Sequence, residues 1–178
     1  MDTPRGFTFI ELIIVLAISG VLTALAVPGF KTYLRRSKTV EASVNLARLF
    51  DSSVACYEAR RGDPSGAISA PQFPASAALT PAVSCCVSAG GTCRPDPRAF
   101  DDSAGTWAAL NFSIDEAYRF QYRYTSSGSG SWATFEAAAF GDLDCDGTFS
   151  TYLRSGSIAG SDGKVTGSAG LFIRNDLE

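Results

Sequence analysis

The stretch RGFTFIELIIVLAISGVLTALAVPGF, residues 5–30, carries a single acid, Glu11, and between Phe7 and Phe30 no other side chain ionises. Residues 7–30 at about 1.5 Å rise each make a helix of roughly 36 Å, enough to cross a bilayer. An ionised carboxylate in hydrocarbon costs about 3 kcal/mol even on lenient insertion scales, so Glu11 calls for a compensating partner. A cleaved secretory signal is the competing reading, but it would have a more basic start and a shorter apolar core, and AVPGF at residues 26–30 is a weak small-residue cleavage site. Pro28 removes a backbone donor and Gly20 adds backbone freedom, so a kink or a loosened turn is expected there.

Beyond this run, Tyr33, Val40, Val44, Ala47, Phe50, Val54 and Tyr57 recur at spacings of three, four or seven residues, which predicts that one helix continues to about residue 61 with an apolar stripe. Gly62, Asp63 and Pro64 then read as a helix stop. Residues 31–61 hold seven basic and three acidic groups, whereas residues 62–178 hold seven basic and thirteen acidic ones, so a basic stem precedes an acidic head. Lys31, Arg35, Arg36 and Lys38 follow the apolar run and only Arg5, offset by Asp2, precedes it. Taken alone, that bias would leave the head in the cytoplasm.

The net charge is −3, which argues against a nucleic-acid partner. There is no histidine, which removes Ser-His-Asp and Cys-His catalysis and histidine metal sites. No spacing of acids singles out a hydrolase pair, so an enzyme is not expected. Cys56, Cys85, Cys86, Cys93 and Cys145 lack paired CxxC spacing and read as disulfide candidates in an oxidising compartment, with one thiol left over.

Residues 63–105 hold six of the eight prolines and read as a long surface connection, with Phe73 and Trp107 as packing anchors. In the head, Tyr118, Phe120, Tyr122 and Tyr124 alternate with Arg119, Gln121 and Arg123, a half-buried strand whose aromatic face is expected to pack on the helix. Strands over residues 132–140, 149–154 and 171–174 follow, with residues 156–170 read as a Gly/Ser/Asp-rich link. Asp142, Asp144 and Asp146 followed by Gly147 match the D-x-D-x-D-G opening of a calcium loop, although its twelfth position is Leu153 rather than glutamate. A plain hairpin turn is the other reading of Asp-Gly here. Cys145 in this turn and Cys56 near the helix end suggest one bridge, with Cys93 closing a small loop to Cys85 or Cys86; other pairings stay open.

The run Gly6-Phe7-Thr8-Phe9-Ile10-Glu11 followed by the apolar segment with Gly20 and Pro28 resembles the prepilin signature of type IV pilins and type II secretion pseudopilins. That resemblance implies a leader of residues 1–6, cleavage between Gly6 and Phe7 by a prepilin peptidase, and N-methylation of Phe7. It implies that Glu11 pairs with the amino terminus of a neighbouring Phe7 during assembly, and that the helix near Gly20 and Pro28 unwinds in the filament. The plainer alternative for Glu11 is a carboxylate that snorkels to the headgroups.

The expected fold is α+β, a pilin fold: a transmembrane and filament-core helix over residues 7–30, an amphipathic stem over 31–62, and a head over 63–178. The head divides into a connection over 63–116 and an antiparallel sheet of three to four strands over 117–178. The implied function is a structural subunit of a bacterial type IV pilus serving adhesion, motility or DNA uptake. The alternatives are a secretion pseudopilin and a membrane-anchored extracytoplasmic binding protein. The implied partners are further copies and other pilins, the prepilin peptidase/N-methyltransferase, an inner-membrane assembly platform and, before assembly, the membrane. Calcium, which some family members hold in their C-terminal region, is the one cofactor considered. The implied location is the inner membrane for the precursor and the cell surface for the filament.

Overall fold

The computed structural model describes residues 6–61, 70–159, 163–168 and 170–177. The expected leader, apart from Gly6, and the helix-stop residues 62–64 lie outside them. Helix α1, Phe9–Arg61, is one α-helix of 53 residues. The chain divides after Ser37 into two units.

In the first unit the helical side chains from Phe9 to Leu34 are exposed, and this part supplies the one helix apolar enough to cross a membrane among the described residues, with a mean hydropathy of 2.5. α1 runs through Gly20 and Pro28 without a break, although Pro28 offers no N–H to the carbonyl of Ala24. The Thr32 hydroxyl donates to the Pro28 carbonyl at 3.2 Å, and Thr23 does the same to Ser19 at 2.7 Å.

In the second unit, α1 lies on an antiparallel sheet of strands β1 (Ala77–Thr80), β2 (Phe120–Ser127), β3 (Thr134–Gly141), β4 (Ser150–Ala159), β5 (Lys164–Gly167) and β6 (Phe172–Arg174). Their order is β1-β2-β3-β4-β5, and β6 shares the outer edge of β4 with β5. The α+β architecture is the expected one, but the sheet holds six strands rather than three to four. β1 lies inside the expected surface connection and pairs with β2. β4 extends to Ala159 and β5 follows, where a Gly/Ser link was expected.

Gly156 explains the miss in β4, and Gly141 plays the same part in β3. Phe120 stands opposite Gly141 and Phe135 opposite Gly156 in the strand register. A Cβ on either glycine would fall 2.4 Å from the ring of its partner. These glycines make room for aromatic rings inside the sheet; they are not turn formers.

The helix face on the sheet also differs from the expected stripe. Ala42, Asn45, Leu46, Leu49, Ser53 and Tyr57 are buried, while Val40 and Val44 remain 56% and 53% exposed. Phe50 is half-buried beside Phe135, with ring centroids 5.5 Å apart. The buried set is displaced from Val40, Val44 and Ala47 by two residues, or about 200° around the helix. Polar residues disguise it, because β2 presents tyrosines that need partners. Asn45 Nδ2 donates to the Tyr122 hydroxyl at 2.8 Å, and the Tyr124 hydroxyl bonds Ser53 Oγ at 3.0 Å.

The connection over residues 70–117 is exposed along much of its length, and the expected anchors Phe73 and Trp107 carry it into the core. Phe73 packs between Tyr57 and Phe135, at 4.9 and 4.6 Å between centroids. Trp107, fully buried in the short helix α2 (Thr106–Ala109), packs against Phe100 and Phe112, and its indole N–H donates to Thr80 Oγ1 at 3.2 Å. The second tryptophan, Trp132, sits in the β2–β3 connection and is 83% exposed.

Candidate functional site

At the N-terminus, Thr8 and Glu11 form a reciprocal cap on α1. The Thr8 backbone N–H and hydroxyl donate to Glu11 Oε2 at 2.8 and 2.6 Å, and the Glu11 N–H reaches Thr8 Oγ1 at 3.4 Å. This is a Thr-x-x-Glu capping box, which satisfies donors that the first helical turn leaves unpaired. The spacing of Thr8 and Glu11 is visible in the sequence, yet only pairing or snorkelling was expected of Glu11. Both bonds fall on Oε2, so Oε1 keeps no partner among the described residues. The exposed Phe7 lies just outside the first turn.

A second acid, Glu41, was not singled out by sequence. Its Oε1 accepts the backbone N–H groups of Arg119 and Phe120 at 3.0 and 3.2 Å and the Tyr122 hydroxyl at 3.2 Å, and Oε2 accepts Arg119 N–H at 3.1 Å. These amides open β2, so the carboxylate ties the stem to the start of the strand. Desolvation pushes its pKa above the usual carboxylate value, with the hydrogen bonds acting in the opposite direction. Burial likewise pushes the Tyr122 hydroxyl well up, helped by the neighbouring Glu41 charge.

In the β3–β4 turn, Asp142 is buried at 7% exposure and accepts the N–H groups of Asp146 and Gly147 at 3.1 and 3.0 Å. Asp146 accepts the Thr148 N–H at 2.7 Å. One carboxylate oxygen from each of Asp142, Asp144 and Asp146 lies within 4.8 Å of the others, a donor set that suits a hard cation. The twelve-residue loop pattern stops there, because Leu153, at the twelfth position, is a β4 residue paired with Ala138 and Phe172, so the three carboxylates alone would hold the ion.

The same turn is tied by disulfides. Cys85 bonds Cys93, and Cys86 bonds Cys145, so adjacent cysteines bridge in two directions. The expected Cys56–Cys145 bridge is not formed and Cys56 is a half-buried free thiol. Distance explains the correction. Glu41 meets the start of β2, where Phe120 pairs with Gly141 beside the aspartate turn, whereas Ser53 meets Tyr124 farther along. Cys56 therefore lies some fifteen residues, or about 22 Å, along α1 from that turn, and a disulfide needs Cα atoms about 4–7 Å apart.

Comparison with known proteins places the N-terminal part. The family model for the prokaryotic N-terminal methylation motif matches residues 1–27. The chain is 54% identical over 46 residues to the type IV major pilin protein PilA of Myxococcus xanthus (strain DK1622). The N-terminal segment is similar to that of type IV pilins. The chain is also 47% identical over 47 residues to the type IV major alpha-pilin of Moraxella bovis, and 51% identical over 43 residues to the type IV major fimbrial protein FimA of Dichelobacter nodosus. These matches cover 26%, 26% and 24% of this chain and only 21%, 30% and 26% of the relatives, so the chain spans less than a third of the length of these pilins. No solved structure matches the chain.

Proposed function

We propose that the chain is a structural subunit of a type IV pilus, held in the inner membrane as a precursor and polymerised through the first part of α1 into a surface filament. The observation that carries this reading is the Glu11 carboxylate, fixed by Thr8 in an exposed apolar helix with one oxygen still open. Cleavage after Gly6 by a prepilin peptidase/N-methyltransferase makes Phe7 the terminal, methylated residue, and the ammonium of a neighbouring copy's Phe7 is the cation for Glu11. Two such opposite charges, brought together away from water, attract strongly enough to offset part of their burial. An assembly platform in the inner membrane delivers subunits to the growing end. Gly20 and Pro28 mark where α1 is least costly to unwind in the polymer.

The work is associative, with no reaction. The converging carboxylates of Asp142, Asp144 and Asp146 support calcium as a ligand of the β3–β4 turn, which a calcium titration followed by thermal melting tests. The subunit reading is tested by mass spectrometry of sheared surface filaments and by Glu11→Ala. The expected results are an N-terminal methyl-Phe7 peptide and loss of filaments at an unchanged membrane pool. Filaments of normal yield from the alanine variant would overturn it.

A further inference from the structure

The flank of α1 beside its buried face opens onto a cleft of about 530 Å³. Val40, Glu41, Val44, Asn45 and Arg48 form one wall, and residues 113–118 form the other. Val40 and Val44 give it an exposed apolar floor, and Asp115 and Glu116 stand exposed on the opposite lip. The other two charges are engaged: Glu41 holds the β2 amides, and Arg48 lies over the Phe112 ring at 5.7 Å from its centroid. An apolar floor under an acidic lip suits a helical segment that mixes apolar and basic side chains.

The sequence contains such a segment at residues 31–36, where Lys31, Arg35 and Arg36 surround the exposed Tyr33 and Leu34. We propose that the cleft receives residues 31–36 of a second copy of this chain, with Arg35 and Arg36 set against Asp115 and Glu116. The inference rests on the pilus reading and deepens it. Arg35 and Arg36 already have contacts within the chain, and docking exchanges these for the acidic lip.

The test uses the full-length chain in its assembling cell, with Cys56→Ser throughout to remove the free thiol. Asp115→Lys with Glu116→Lys, and separately Arg35→Glu with Arg36→Glu, each place like charges together and are expected to lower sheared filament about tenfold at an unchanged membrane pool. Combining all four restores the opposite-sign pairing and the yield. In a second arm, Glu116→Cys with Arg36→Cys is expected to give disulfide-linked multimers in oxidised filaments, whereas each single cysteine gives none. Charge reversals that assemble normally, or filaments of the double-cysteine chain with no multimers, overturn the proposed contact. An absence of filaments from the unaltered chain instead overturns the pilus reading on which it rests.

Discussion

Replacing Glu41 by alanine removes the acceptor for two β2 amides and the Tyr122 hydroxyl at one stroke. A buried donor left unpaired costs about 1–3 kcal/mol. The site borders an open cleft, so water recovers part of that loss and the expected net cost is about 3 kcal/mol. For a folded unit of this size that corresponds to a fall of roughly 6–12 °C in Tm, measured by near-ultraviolet circular dichroism on the full-length chain in detergent. Glu41→Gln keeps one acceptor and is expected to lose about half as much.

The pH dependence separates the two variants from a generic loss of packing. Because burial raises the folded pKa of Glu41 above its unfolded value, the folded state binds the proton more tightly. The contribution of this titration is fully present below the unfolded pKa and is lost as pH rises through the folded one. The non-titrating glutamine variant has no such term, so the stability gap between the wild type and Glu41→Gln widens as pH falls from neutrality towards 4.5, the ordinary carboxylate value. A gap that stays flat or narrows over that window, or an alanine variant with an unchanged Tm, would refute the assignment of Glu41 as the tie between stem and strand.

Opening Cys86–Cys145 by replacing both residues with serine releases a loop of 59 residues and is expected to cost about 4 kcal/mol in chemical denaturation; Cys56→Ser is expected to leave both stability and non-reducing mobility unchanged. Gly156→Ala drives a methyl group into the Phe135 ring and is expected to cost about 1–3 kcal/mol, read from the urea midpoint. Thr8→Ala opens the capping box around Glu11, worth about 1 kcal/mol at a helix start, and lower filament yield with an unchanged membrane pool is the expected result.

The long helix and its approximate end were legible because a charge-free run and an apolar periodicity persist over many turns. The aromatic alternation around Tyr122 was legible for the same reason: period two survives in β2. Which side of α1 meets the sheet was not, because that side carries Asn45 and Ser53, whose suitability for burial depends on tyrosine hydroxyls some seventy residues away. Gly156 reads as a breaker when taken singly and becomes a strand residue only when the opposing Phe135 ring is known. Glu41 gave no local signal at all, since its partners are backbone amides of another element. Cysteine pairing failed at Cys56 because helix rise, not residue type, decides which thiols meet.

The two tryptophans give this protein a built-in pair of optical probes. Trp107 lies buried in an aromatic nest and Trp132 faces solvent, so iodide should quench the red-shifted part of the emission and leave the blue-shifted part intact. A spectral shift confined to the quenchable component would report packing around the β2–β3 tip without disturbing the interior, and loss of the protected component would report unfolding. Events at the β2–β3 tip and denaturation thus become separable in one cuvette, with no label attached.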